Sequence, residues 1–112
     1  MKIINLTVKP IKVFKDGKYV KTIPTSVDKE NAPYSVRDEI EIYEVDGIPV
    51  YESVPSEIIN LPEPKEGCLY VTTLAVAKTA AANGRRDVVF PSFIRNETGR
   101  IIGVDALLFM KI

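Results

Sequence analysis

The sequence predicts an α+β domain that is mainly β: a hairpin-rich curved sheet or small barrel with one α-helix at about residues 73–83. Three observations carry this. Asp16-Gly17 and Asp46-Gly47 each divide two β-prone runs, and glycine accepts the positive φ of a tight turn between strands. Leu74 to Asn83 is alanine-rich and ends at Asn83-Gly84, a left-handed helix stop. Apolar β-prone runs then resume, an order that gives a sheet with one helix packed against it.

Taken in order, Lys2 to Val8 alternates loosely and is rich in Ile and Val, so it reads as a strand. Ile11 to Phe14 and Lys18 to Ile23 form the first hairpin around Asp16-Gly17, and Pro24 ends it. Thr25 to Val36 is polar and irregular, with Pro33 barring a continuous helix; it reads as a long loop, of a length often tied to function or motion. The second hairpin joins Ile40–Val45 to Ile48–Tyr51 through Asp46-Gly47. Glu39, Glu41, Glu44 and Glu52 fall on or near its wet face, and Pro49 marks its second strand as an edge or an irregular pairing. Ser56 to Leu61 reads as a further short strand.

Cys68 to Thr72 is a short β-prone run, and Thr72 or Thr73 can cap the helix by accepting a first-turn backbone N–H. Asp87 to Ile94 reads as a strand interrupted at Pro91, Asn96 to Gly99 as a turn, and Ile101 to Ile112 as one or two terminal strands. The connection within Cys68–Phe90 is just long enough for a parallel β-α-β crossover.

With 112 residues, 46% of them apolar, the chain is expected to form a single domain, 1–112, around one modest core. Lys and Arg number 15, as do Asp and Glu, and a neutral balance argues against broad nucleic-acid or membrane-surface binding. One cysteine, Cys68, fits a reducing compartment. No apolar run approaches the roughly 20 residues of a membrane span. The opening Met1–Phe14 has no continuous apolar core and no small-residue cleavage site, so a soluble cytoplasmic protein is expected. Histidine and tryptophan are absent. Without histidine, the Ser-His-Asp and Cys-His triads, His-liganded zinc and imidazole proton shuttles are all excluded. The expectation is therefore a non-enzyme with no cofactor and no metal.

Candidate site residues are few. Arg85 and Arg86 are the sharpest cationic pair: a guanidinium meets phosphate or carboxylate through two parallel hydrogen bonds, but it serves equally to complement a helix C-terminus or to pair with Asp87. Arg100 joins them if the last hairpin folds back. Thr72 and Thr73 offer hydroxyls at a helix start, for an anion or for plain capping. Cys68 reads as a small core hydrophobe, and Tyr34, in the long loop beside Pro33, as a stacking or a packing residue. The acidic set around Asp46 reads as a solvated face rather than a metal site.

Several short pieces stand together in a recognisable order: Ile4-Asn5-Leu6-Thr7, Leu61-Pro62-Glu63-Pro64-Lys65-Glu66-Gly67, Tyr70-Val71, Arg86-Asp87 and Gly99-Arg100-Ile101-Ile102-Gly103. In these the chain resembles a family of small, mostly uncharacterised phage and prophage proteins that open with Ile-Asn-Leu-Thr-Pro-His. Val8-Lys9 replaces the Pro-His here. The resemblance implies a phage or prophage accessory protein in the host cytoplasm, and no reaction. The leading expectation is a binding protein that sequesters a small anionic, nucleotide-like ligand or inhibits a host defence protein. Its expected ligand-binding residues are Arg85, Arg86, Arg100, Thr72 and Thr73, with Asn5 and Thr7 as polar neighbours. The alternative is a structural or assembly protein that forms a homo-oligomer through strand edges.

Overall fold

The computed structural model describes residues 1–111. Its elements are β1 (Lys2–Asn5), β2 (Ile11–Lys15), β3 (Lys18–Ile23), β4 (Tyr34–Val45), β5 (Ile48–Ile59), β6 (Cys68–Val71), α1 (Leu74–Ala82), β7 (Val88–Arg95) and β8 (Ile101–Leu108). Strands take up 54% of the chain, so the sheet and not the helix sets the core. The expected class holds: six strands, in the order β1-β6-β7-β8-β2-β3, form a strongly curled half-barrel with the helix against it. β4 and β5 pair only with each other, as a separate two-stranded arm.

Two kinds of pairing meet in the curled sheet. β1, β6 and β7 run parallel, in the register Asn5↔Val71↔Val89. β7–β8 and β2–β3 are antiparallel, and β2 meets β8 in parallel at Val13↔Val104. The parallel half exists because α1 carries the chain back from β6 to β7, completing the expected β-α-β unit. Alternation along the strands divides the apolar side chains. Val71 and Val89 join Ile11 and Val104 in one cluster, flanked by Ile3 and Leu69. Cys68 and Tyr70 pack with Leu6 in a second, as expected of a core cysteine. Val88 meets Ala77 and Ala80 of the helix in a third, which Ile58 and Leu61 cover from the base of the arm. Alanine suits that position because α1 is packed against β7 and also against both arm strands.

The helix ends where its composition indicates. Thr73 is the N-cap, its hydroxyl accepting from the Val76 amide at 3.4 Å, and Gly84 takes φ +84° just beyond Asn83. Both Asp-Gly turns place Asp and Gly at positive φ, as a two-residue hairpin turn requires.

Several expectations change. The first strand stops at Asn5, because Leu6 to Lys9 bends around the Asn5 side chain. The second hairpin is much longer than its turn implies: β4 and β5 each span 12 residues, absorb Ser56–Ile59 and carry Pro49 and Pro55 within the strand. Tyr34 is therefore the first residue of β4 and not a loop residue. Irregular register beside Arg37 and Glu41 accommodates this length. Glu52 pairs with Ile40, on the opposite face of the arm from Glu41 and Glu44, and not with the other glutamates. β7 runs through Pro91 without a break, with a bulge between Ser92 and Phe93. The terminal strand ends at Leu108; Ile112, included in that expected strand, lies outside the described residues. No helix among the described residues is long and apolar enough to cross a membrane.

Gly103 makes the β2–β8 junction possible. A Cβ built on it would stand 2.6 Å from the Lys12 carbonyl oxygen and would also strike the Phe14 ring. Gly103→Ala should therefore destabilise the chain by about 1–3 kcal/mol through forced separation of β8 from β2. Urea unfolding measures this; an unchanged midpoint would mean that the two strands are not in close contact.

Candidate functional site

The residues that follow β1 and β6, Leu6-Thr7 and Thr72-Thr73, come side by side with Phe90-Pro91, which lie inside β7 just past its parallel-paired Val88-Val89. The amide of Leu6 donates to Val71 O at 2.8 Å and that of Thr72 to Val89 O at 2.8 Å, which keeps the three segments in line. A cleft of about 760 Å³ opens over this edge. Its other walls are Val8 to Lys12, Ala32-Pro33, and Ile101 to Val104 with Phe93. Leu74, Phe93, Ile101, Ile102 and Val8 are all exposed in the cleft wall or at its mouth. The volume and the largely apolar lining are those of a small-molecule site, and the crevice beyond the carboxyl ends of parallel strands is where open α/β sheets bind ligands.

The cleft's electrostatics are simple. Among the described residues its ionisable lining groups are Lys9 and Lys12, both exposed, with no carboxylate beside them. The start of α1 borders it at Thr73 and Leu74, adding the positive end of a helix with no acidic residue in its first turn. The part of the long loop at Ala32-Pro33 supplies a wall; Pro33 is buried, and Val27 packs on the Leu6–Cys68–Tyr70 cluster.

The expected site residues divide among several places. Thr7, Thr72 and Thr73 do line the cleft. Thr72 is only 1% exposed and its hydroxyl lies 3.2 Å from both the Val89 and the Thr73 carbonyl oxygens; the Thr73 hydroxyl is the helix cap. Asn5 is fully buried and does not line the cleft. Its amide nitrogen donates to Lys9 O at 3.0 Å and to Ile23 O at 3.4 Å, while its Oδ1 accepts from the Thr7 amide at 2.9 Å and the Thr7 hydroxyl at 2.5 Å. Arg100 sits in the β7–β8 turn, where its backbone is bound to Asn96 and its side chain stands outside the cleft lining.

Arg85 and Arg86 are at the other end of α1, about a helix length of roughly 14 Å from Thr73. They border a separate hollow of about 300 Å³ with Ala81, Val88, Phe109 and Met110. The arginines and the helix-start hydroxyls therefore cannot hold one small anion between them. Arg85 is already engaged: Nε and Nη2 reach the two carboxylate oxygens of Asp87 at 2.8 and 2.9 Å, and Nη2 also donates to Pro62 O at 3.0 Å. It pins the Pro-rich segment to the start of β7. Arg86 is exposed and makes no ion pair among the described residues.

Sequence reasoning missed Lys9 and Lys12 as the cleft's cations. They flank Pro10-Ile11 directly after the Asn5–Thr7 segment, but nothing local shows that this stretch lies beside the helix start and β8. No protein-family model, curated protein or solved structure matches the chain.

The hydrogen-bonded Arg85 guanidinium holds the Asp87 carboxyl below its ordinary value, against the opposing effect of burial. A lowered folded-state pKa gives stability that is full above the unfolded value and lost as pH falls through the folded one. Asp87→Asn should cost about 1–2 kcal/mol at neutral pH, and the gap from wild type should close in acid, below the ordinary aspartate value of 3.8. Unfolding curves across pH measure it; a gap that persists undiminished in acid would contradict the ion-pair origin.

Proposed function

We propose that this chain is a non-enzymatic accessory binding protein of a phage or prophage whose cleft sequesters a small amphipathic anion: an apolar, ring-sized body with one carboxylate, sulfonate or phosphate. One observation carries the reading. Among the described residues, the apolar cleft's ionisable lining groups are two lysines, with no acid beside them. An apolar body would displace water from Leu74, Phe93, Ile101 and Ile102, the hydrophobic effect supplying most of the affinity. Lys9 and Lys12 would select the sign of its charged end, and the start of α1 would reinforce that choice. The described lining offers no carboxylate, thiol or imidazole to move a proton, which supports binding over catalysis. This moves the expected anion from Arg85 and Arg86 to the lysine side of the fold. The resemblance in the Ile4–Thr7 and Gly99–Gly103 segments supports the phage or prophage origin, and both segments lie at or beside the cleft.

Anilinonaphthalene sulfonate, an apolar ring system with one anionic group, is a direct probe. Calorimetry should find one site per chain, and the double variant Lys9→Glu, Lys12→Glu should weaken it roughly tenfold or more. Arg86→Ala should leave the affinity unchanged. Equal binding by the double variant would remove the cleft as an anion site.

A further inference from the structure

We propose that the β4–β5 arm is a self-association surface, its apolar face packing against the same face of a second copy of this chain about a twofold axis. The cross-strand register separates the arm's two faces. One carries the pairs Val45↔Ile48, Tyr43↔Val50, Ile40↔Glu52 and Asp38↔Val54; the other carries Glu44↔Pro49, Glu41↔Tyr51 and Glu39↔Ser53. The first face is apolar from the tip inwards, and Tyr43, Val45, Ile48 and Val50 form its unbroken outer patch. Ile48 is 66% exposed and Tyr43 57%. The reverse face holds Glu39, Glu41 and Glu44.

A two-stranded sheet with one apolar face is marginal in water unless something covers that face. At the arm's base the reverse face is the one covered, since Ile58, paired with Ser35, and neighbouring Leu61 pack on Ala77, Ala80 and Val88. The outer patch of the apolar face has no cover among the described residues. The radius of gyration is 16.7 Å, against about 13 Å for a compact domain of this length. The accessible surface is 8038 Å², against about 6,200 Å² for a compact chain of 12.5 kDa. The excess of about 1,900 Å² exceeds the roughly 800 Å² that each partner buries in a standard interface.

A second copy is the occupant that this geometry fits. A twofold contact needs one self-complementary patch, and a flat apolar face meets that need. Packing face to face turns both rows of Glu39, Glu41 and Glu44 outwards to water. Joining the arms edge to edge in one sheet would instead set those rows on a common face, where like charges repel. Asp38 and Glu52 lie towards the base of the apolar face, which favours contact through the outer halves of the arms.

Sedimentation velocity across a wide concentration series tests this. The wild type should move from 12.5 kDa to twice that mass, and Tyr43→Lys with Ile48→Lys should remain at 12.5 kDa. Both side chains are exposed in the single chain, so its own packing is untouched. Glu41→Lys on the reverse face should still dimerise. A wild type that stays monomeric throughout, a lysine double variant that still dimerises, or a Glu41→Lys chain that does not, would each overturn the proposal. Amide exchange of the wild type gives an answer without variants: protection over Tyr43–Val50 should fall on dilution, and protection independent of concentration would overturn it.

Discussion

The buried side chain of Asn5 is the contact on which the shape of this molecule depends. The curled sheet begins at β1 and ends at β3, strands far apart in its order, and the Asn5 segment joins the rim where they approach. Its backbone forms the isolated bridge to Thr25, its carbonyl accepts from the Ser26 amide at 2.9 Å, and its amide nitrogen reaches Ile23 O. The same side chain folds Leu6 to Lys9 back on itself through Thr7 and Lys9 O. Thr25 adds a hydroxyl bond to Thr7 O. A buried amide left unpaired would cost about 1–3 kcal/mol, so this cluster is stable only when every partner is in place. Such a group specifies one geometry more than it adds net stability.

The cleft follows from that closure. The bend of Leu6 to Lys9 sets Val8 and Lys9 in the same cleft wall as Lys12 of β2, with the start of α1 lining the same cleft, and Gly103 lets β8 come close enough to β2 to complete it. The helix contributes its position and its small residues. Ala77 and Ala80 allow it to sit between the sheet and the base of the arm, and this fixes where Thr73 and Leu74 meet the cleft. At its far end, Arg85 and Asp87 tie the Pro62 segment to β7, a structural duty that keeps the β-α-β crossover in place. The two ends of one short helix thus have separate roles.

Local chemistry was legible in the sequence, and long-range placement was not. The Asp16-Gly17 and Asp46-Gly47 turns, the Thr73 cap, the Gly84 stop and the burial of Cys68 all follow from a few neighbouring residues. The length of the second hairpin was hidden because Ser56 to Leu61 read as a separate short strand and Pro49 as a mark of irregular pairing; an arm with free outer edges tolerates Pro49 and Pro55, since the missing N–H has no ladder partner to disappoint. Asn5 and Thr7 were singled out as polar neighbours of a ligand; only the fold shows that the Asn5 side chain is engaged with Thr7 and with the Lys9 and Ile23 carbonyls. Grouping Arg85 with Thr72 joined residues close in sequence that a rigid helix holds apart. Lys9 and Lys12 carried no local mark, because a cation's partner surface is made by strands distant in the chain.

Native-state amide exchange at Leu6 and Ser26 tests the central claim, that the Asn5 cluster locks the sheet's rim. Their amides donate to Val71 O and Asn5 O respectively. If the cluster is part of the cooperative unit, both should exchange only through global unfolding, at the free energy found for the core amide of Thr72. Exchange at Leu6 and Ser26 through a low-energy local opening, with Thr72 still protected, would show that the rim opens independently and that Asn5 does not hold the fold closed.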